Sequence, residues 1–400
     1  MQYLLIILSV LPALLAGDFT PQTLSVAEQD SILEAPVANP DTKTRYRLEC
    51  ENEQKIYRHS KTADWYIVDT MRHSRKQLGE GIRSQESGVR IRDAVMSPNG
   101  RYVAFASENN LYIHKCDFGT EVAVTKEEDI DIISGISDWL YEEEFGTTAL
   151  FAWSPDSKQL AFVRLDEHEV PSFSWQTFVG PQYPASESLR YPKAGCPNAK
   201  ATVCVYDVAT KGILTMNLEN IEYRIQNTED YFPRLRWTED GQLLVLRLNR
   251  DQNKMEVLSC NPKSTVAHPL YKEESKNYFI DYSLFDQWLW LLDGRFIVLS
   301  EKDGWRRAYL FDKQGMELRA LTPENIDVTA LYAVDEKAQT LFYQAATTPA
   351  TRDVYALNWK KNSITKLSEK DGCNSARFSH DAQRYILCHH SFDTPNTYTL

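Results

Sequence analysis

The chain has 400 residues and a formal net charge of −12, from 44 Lys+Arg against 56 Asp+Glu. That balance excludes a general nucleic-acid coat, because phosphate binding needs clustered positive charge. Hydrophobic residues at 42% and charged residues at 25% are ordinary globular usage, and an aromatic share of 12% favours a β-rich chain over a helical bundle.

Residues 4–15 form the one long apolar run, ending at Ala16 and Gly17 before Asp18. The run is short for a bilayer span and reads as the core of a signal peptide over residues 1–17. Export to a bacterial periplasm or the outside is therefore expected. No Lys or Arg precedes the run and Leu14 is not small, so an uncleaved anchor is the alternative. Seven cysteines (Cys50, Cys116, Cys196, Cys204, Cys260, Cys373, Cys388) suit an oxidising compartment, with at least one thiol left over by the odd count. There is no Asn-x-Ser/Thr sequon. Residues 18–45 are a separate N-terminal segment.

After residue 90 one pattern recurs: a polar turn, alternating apolar residues, then a second short apolar run. It occurs in SPNGRYVAFASENNLYIHKCD from Ser97, SPDSKQLAFVRLD from Ser154, TEDGQLLVLRLNRDQNKMEVLSCN from Thr238 and LLDGRFIVLSEKDGWRRAYLFD from Leu291. Weaker copies start at Val334 and Ser379. Each reads as a β-hairpin whose strands have period two. The spacing matches the blades of a β-propeller better than a solenoid, so the expected fold is all-β, with residues 46–400 as the propeller domain. A β-sandwich with irregular insertions is the alternative. No Gly-His to Trp-Asp pairing of the WD40 type occurs.

The segment from Glu127 to Phe145 breaks the pattern and is expected to be an insertion between two blade repeats. It ends in DWLYEEEF from Asp138. Asp138 there can cap a short helix with Glu142, Glu143 and Glu144 near its positive end. The ordinary fate of such an acidic run is a solvated helix start. The other reading is that neighbouring helical carboxylates, about 100° apart, embrace one cation from two sides.

YRHSKTADWYIVD from Tyr57, SDWLYEEEF from Ser137, FAWSPDSKQLAFVRLDEHEVPSFSW from Phe151, YPKAGCPNAKATVCVYDV from Tyr191 and DGWRRAYLFD from Asp303 together resemble the dipeptidyl peptidase IV family of serine peptidases, in the bacterial style. The resemblance runs from about residue 50 onward, in the family's order. It implies an eight-bladed propeller capping an α/β-hydrolase domain, and release of N-terminal dipeptides after Pro or Ala. It also implies that Glu143 and Glu144 hold the substrate's free α-ammonium, and that Arg58 contacts the first dipeptide carbonyl and braces the acidic pair. On its own, Arg58 would read as a surface cation. An ammonium offers three donors and no acceptor, so fixed carboxylates select peptide N-termini over internal bonds.

Nothing in the chain matches the Gly-x-Ser-x-Gly elbow that the hydrolase chemistry needs; Gly135-Ile-Ser137 is the nearest look-alike. No catalytic residue is therefore assigned, and the chain as written is expected to be incompetent alone, a truncated or split product. The hydrolase domain is expected to be missing or separately encoded, and the first blade to be short. The resemblance further implies a Cys373–Cys388 bridge in the last blade and homodimers. Cys388, His389 and His390 are not a metal site, because strand neighbours face opposite sides; no cofactor is expected. Three functional readings follow: the substrate-recognition propeller of a dipeptidyl peptidase IV-like enzyme, binding peptide N-termini; a stand-alone propeller that binds peptides or proteins; and a remnant without a ligand.

Overall fold

The computed structural model describes residues 45–82, 90–180, 182–218 and 230–400, together with residues 25, 28–29 and 32–33. The apolar run at residues 4–15, and nearly all of the segment before residue 45, lie outside the described residues. No helix among the described residues is long and apolar enough to cross a membrane. The chain forms two compact units, Lys43–Phe279 and the combination of Met1–Thr42 with Ile280–Leu400.

The fold is an all-β propeller, built as a series of sheets of mostly antiparallel strands. In the unit Lys43–Phe279 the first blade contributes strands Tyr46–Lys55, Lys61–Asp69 and Ser74–Gln77, and the second Ile91–Met96, Tyr102–Ser107, Asn110–Lys115 and Thr120–Ala123. A third sheet holds Ile132–Ser134, Phe151–Trp153, Gln159–Asp166, Lys200–Asp207 and Ile213–Thr215, with a separate hairpin of Ser172–Thr177 and Ala185–Arg190. The fourth runs Tyr231–Trp237, Leu243–Leu248, Lys254–Cys260, Ala267–Glu274 in order.

The other unit has one four-stranded sheet, Leu289–Trp290, Phe296–Ser300, Arg307–Phe311 and Glu317–Ala320. A second sheet starts at Asp327–Asp335 and ends at Thr397–Thr399. Leu33 packs there against Ile386 and Tyr398.

Five of the six repeats form the expected hairpin, whereas in the one from Ser154 the strand Gln159–Asp166 pairs with Lys200–Asp207 beyond an inserted hairpin, and the strict alternation expected of the strands does not hold. Leu243–Leu248 and Phe296–Ser300 are buried at every residue. In the first unit the cause is visible: Tyr46, Ile67 and Leu78 of the first blade share one core with Ile91, Val103 and Phe105 of the second. A strand in the middle of a blade has neighbours on both faces and so reads as a continuous apolar run. The outermost strands, such as Glu317–Ala320 and Ser363–Lys366, are largely exposed.

The polar turns follow one chemistry. In SPDS, the Ser154 N–H donates to the Gln159 carbonyl at 2.9 Å, the Ser154 hydroxyl to Asp156 at 2.8 Å, and Ser157 has φ 59°. Ser97, Asn99 and Gly100 repeat this, as do Ser379, Asp381 and Ala382. The residue before the turn links blades in two cases. The indole N–H of Trp153 donates to the Val95 carbonyl at 3.2 Å, and that of Trp237 to the Ala152 carbonyl at 3.0 Å. Each tryptophan thus reaches the carbonyl one position before its own counterpart in the preceding blade.

The bridge expected between Cys373 and Cys388 is not formed, and both are free thiols. Cys373 lies opposite His390, and Cys388 opposite Ser375. The two cysteines are therefore diagonal neighbours, separated by about 7–8 Å, beyond the Cα spacing that a disulfide tolerates. His389 is buried against Asn374 (3.0 Å) while His390 is exposed, as opposite strand faces require.

Gly241 takes φ 81° in the TEDG turn, and a Cβ there would meet nothing within 4 Å. Gly241→Ala should therefore cost only backbone strain, about 1–2 kcal/mol. Thermal unfolding should show a lower melting temperature with an unchanged far-UV spectrum; an unchanged melting temperature would refute the turn assignment.

Candidate functional site

The insertion is placed differently from the sequence expectation. It interrupts the first strand of one blade instead of lying between two. Ile132–Ser134 and Phe151–Trp153 both pair with the same edge of Gln159–Asp166, and residues 135–150 loop out between them. Gly135 marks the departure, with φ 75°, and a Cβ there would sit 2.5 Å from the Leu111 side chain. The glycine of the elbow look-alike is thus explained by packing. The bridge between Ile136 and Ala149 closes the base of the excursion.

The excursion carries helix α1, Trp139–Phe145. Asp138 caps it, its carboxylate accepting the Tyr141 N–H at 2.7 Å, and Gly146 ends it with φ 59°. Seven residues are too few for a helix to be stable by itself, and tertiary contacts hold it. The Phe232 N–H donates to the Tyr141 hydroxyl at 2.9 Å, and the Arg234 guanidinium donates to the Phe145 carbonyl at 3.2 Å. Tyr141, Phe145 and Tyr231 form an aromatic cluster with centroids 5.0–6.1 Å apart. On the other side Trp139 packs on Tyr191 at 4.3 Å.

The three glutamates have three different environments. Glu142 is fully buried. One of its oxygens accepts the His59 and Ser60 N–H groups at 2.6 and 2.8 Å, and the other lies 3.8 Å from Arg92 Nη2. Glu143 is partly exposed, with Oε2 3.3 Å from Arg58 Nε. Glu144 is exposed, and its Oε1 accepts Gln252 Nε2 at 2.6 Å. The reading of this run as a plain solvated helix start therefore holds only for its outer face.

Arg58 sits in the turn between Tyr46–Lys55 and Lys61–Asp69, and Gln252 in the turn between Leu243–Leu248 and Lys254–Cys260. Gln252 adopts φ 52°, and two residues before it the Arg250 guanidinium donates to the Cys196 carbonyl at 2.6 Å. Side chains from three blades thus converge on one end of α1, and two adjacent carboxylates are each held from a different side. Sequence reasoning brought Arg58, Glu143 and Glu144 together. It missed Gln252, whose NRDQN turn is an ordinary polar turn in sequence, and it assigned no part to Glu142.

Further acidic groups lie close by, of which Asp138 is buried and Asp93 and Glu167 are half-buried. Burial raises the Asp138 carboxyl to about 6 and the Glu167 carboxyl to about 8, with Asp138 adding to the effect on Glu167. Burial also raises Asp93, whose carboxylate accepts the Thr148 hydroxyl at 3.0 Å, and the Tyr57 hydroxyl, the residue next to Arg58. Arg92 donates to the Ser137 carbonyl at 3.3 Å. Nearby, Asp129, Asp131 and His168 cluster within ligand distance of one another. Arg190 binds both Asp131 oxygens at 2.6 Å and His168 bridges Asp129 and Asp166 at 2.9 and 2.7 Å, so the cluster is an ion-pair knot.

Comparison with known proteins gives one consistent family. The profile described as dipeptidyl peptidase IV (DPP IV) N-terminal region matches residues 41–396. A probable dipeptidyl peptidase 4 of Aspergillus flavus is 28% identical over 364 residues, 87% of this chain and 46% of the relative. A probable dipeptidyl-aminopeptidase B of Aspergillus niger is 26% identical over 412 residues, covering 95% and 45%. The crystal structure of Porphyromonas gingivalis dipeptidyl peptidase 4 superimposes with a TM-score of 0.79 at 37% identity, over 88% of this chain and 48% of that one. The chain spans about half the length of the curated relatives it matches.

Glu167 gives a pH test. Its folded-state value lies above the ordinary 4.5, so between those pH values the folded protein holds a proton that the unfolded chain releases. Stability should fall as pH rises from 4.5 to about 8 and then level off. Glu167→Gln should remove this loss, gaining at most about 5 kcal/mol at pH 9 relative to the parent, less whatever solvent screens at this half-buried group, and nothing at pH 4. Parallel melting-temperature profiles for the two proteins would refute it.

Proposed function

We propose that this chain, which belongs to the dipeptidyl peptidase IV N-terminal region family, is the substrate-recognition propeller of a dipeptidyl peptidase and binds the free N-terminus of a peptide through Glu143, Glu144 and Arg58. The observation that carries this reading is the convergence of two adjacent carboxylates with one guanidinium at 3.3 Å, held from separate blades.

An α-ammonium has three donors, which two carboxylates set about 100° apart on a helix can accept without stacking on each other. Charge-assisted hydrogen bonds of this kind are stronger than neutral ones. An internal amide or an acetylated N-terminus brings no cation and would leave the carboxylates facing an apolar or neutral group. Arg58 keeps Glu143 aligned and leaves most of its own side chain exposed, where it can meet the first carbonyl of the substrate. Two extended residues span about 7 Å, so a substrate pinned at its N-terminus presents its second peptide bond at a fixed distance. This is how the site would count to two.

The nucleophile would come from an α/β-hydrolase region, carried in the same polypeptide or on a separate chain, and the propeller by itself would bind and not cleave. The release of X-Pro and X-Ala dipeptides is the activity that the family relationship supports. The apolar run at residues 4–15 supports export to a bacterial periplasm or the extracellular space.

In a protein carrying the hydrolase region, Glu143→Gln or Glu144→Gln should lower kcat/KM for a Gly-Pro amide by about 2–5 kcal/mol of transition-state binding. The blades should keep their melting temperature. Near-parental kcat/KM in both variants would sink the assignment.

A further inference from the structure

We infer that Glu142 is a positioning residue for the ammonium site: it anchors the turn that carries Arg58 to the helix that carries Glu143, and so sets the distance between them without touching the ligand. The inference rests on the reading of Glu143, Glu144 and Arg58 as the site that binds peptide N-termini.

Three observations carry it. Glu142 has no solvent exposure, although its two neighbours in the acidic run face outward. Its Oε1 accepts two consecutive backbone N–H groups, those of His59 and Ser60, which directly follow Arg58 in the chain. Successive amides of this kind form an anion-holding concavity, and here a carboxylate from another blade fills it. Oε2 faces Arg92, whose guanidinium also donates to the Ser137 carbonyl and hydroxyl just before the helix cap.

The chemistry explains why a carboxylate is used at this place. A buried charge is tolerated only where fixed donors and an opposite charge surround it. A shorter or apolar side chain would leave two buried amides without an acceptor, and the turn would have to move to find one. Arg58 extends from that turn with most of its side chain in solvent, so its position depends on where the backbone behind it is tied. Glu142 thus acts on the site through Arg58.

The test uses the full 400-residue chain and two readouts. Hydrogen exchange measured by mass spectrometry reports the turn directly. Glu142→Asp, which keeps the charge and retracts the carboxylate, should speed exchange at residues 56–60 at least tenfold and leave the blade strands unchanged. Glu142→Gln, which keeps Oε1 in place, should change exchange less. Unchanged exchange in the Asp variant overturns the inference.

The second readout is affinity for a fluorescein-labelled Gly-Pro hexapeptide with a free N-terminus, against its N-acetylated twin. Glu142→Asp should weaken binding of the free peptide about tenfold. Once Arg58 is replaced by Ala, Glu142→Asp should weaken it no further, because the route through Arg58 is gone. Additive losses, or unaltered affinity beside a clear loss in Glu143→Gln, would mean that Glu142 serves folding alone, and would overturn the inference while leaving the ammonium site standing. If Glu143→Gln itself leaves the preference for free N-termini intact, the ammonium reading fails, and exchange at residues 56–60 alone decides whether Glu142 ties the turn.

Discussion

A sheet whose central strands are apolar on both faces has to be covered on both faces, and most features of this chain follow from that constraint. Leu243–Leu248 and Phe296–Ser300 carry apolar side chains at positions that a half-solvated strand would give to polar ones. Such a sheet is stable only beside others of its kind. The first and second blades meet this need by sharing one core through Ile67, Ile91 and Phe105. Trp153 and Trp237 add a directional element: each sends an indole N–H to a backbone carbonyl in the first strand or strand segment before the polar turn of the preceding blade. A tryptophan removed from water needs a partner for that N–H, and here the preceding blade supplies it.

The same constraint decides where a polar site can be built. The central strands of the blades are buried, and the candidate site is built where the chain leaves the sheet. It does so at Gly135, where one strand is broken and the chain loops out for 16 residues before resuming the same edge. Helix α1 in this loop is held by aromatic packing, by Arg234 at its last carbonyl and by Glu142 at its side. Arg58 and Gln252 reach it from turns of two other blades. A carboxylate pair assembled in this way is held by the blades around it. Asp138 and the half-buried Glu167, both raised by desolvation, are carboxyl groups that stay neutral over part of the ordinary pH range.

Much of this was legible in the sequence because it is local. Turn chemistry is written within five residues, so SPDS, SPNG and TEDG identified the hairpins. The cap at Asp138 and the helix behind it could be read from DWLYEEEF, and Arg58, Glu143 and Glu144 came from motifs that resemble one family along nearly the whole chain. What failed was of another kind. The alternation expected in the strands gave way to full burial, the insertion lay inside a blade and not between two, and Cys373 and Cys388 fell two residues out of register.

The sequence by itself determined the strand and turn grammar, the all-β class and the family, since each is carried by contiguous residues or by a family's motifs. Only the tertiary structure decided that Glu142 is buried under the Arg58 turn, that Gln252 holds Glu144, and which strand faces lose water. Those outcomes depend on contacts between residues 83 and 108 positions apart, and no local pattern in a single chain records which distant backbone amide or side chain will supply a partner for a given carboxylate.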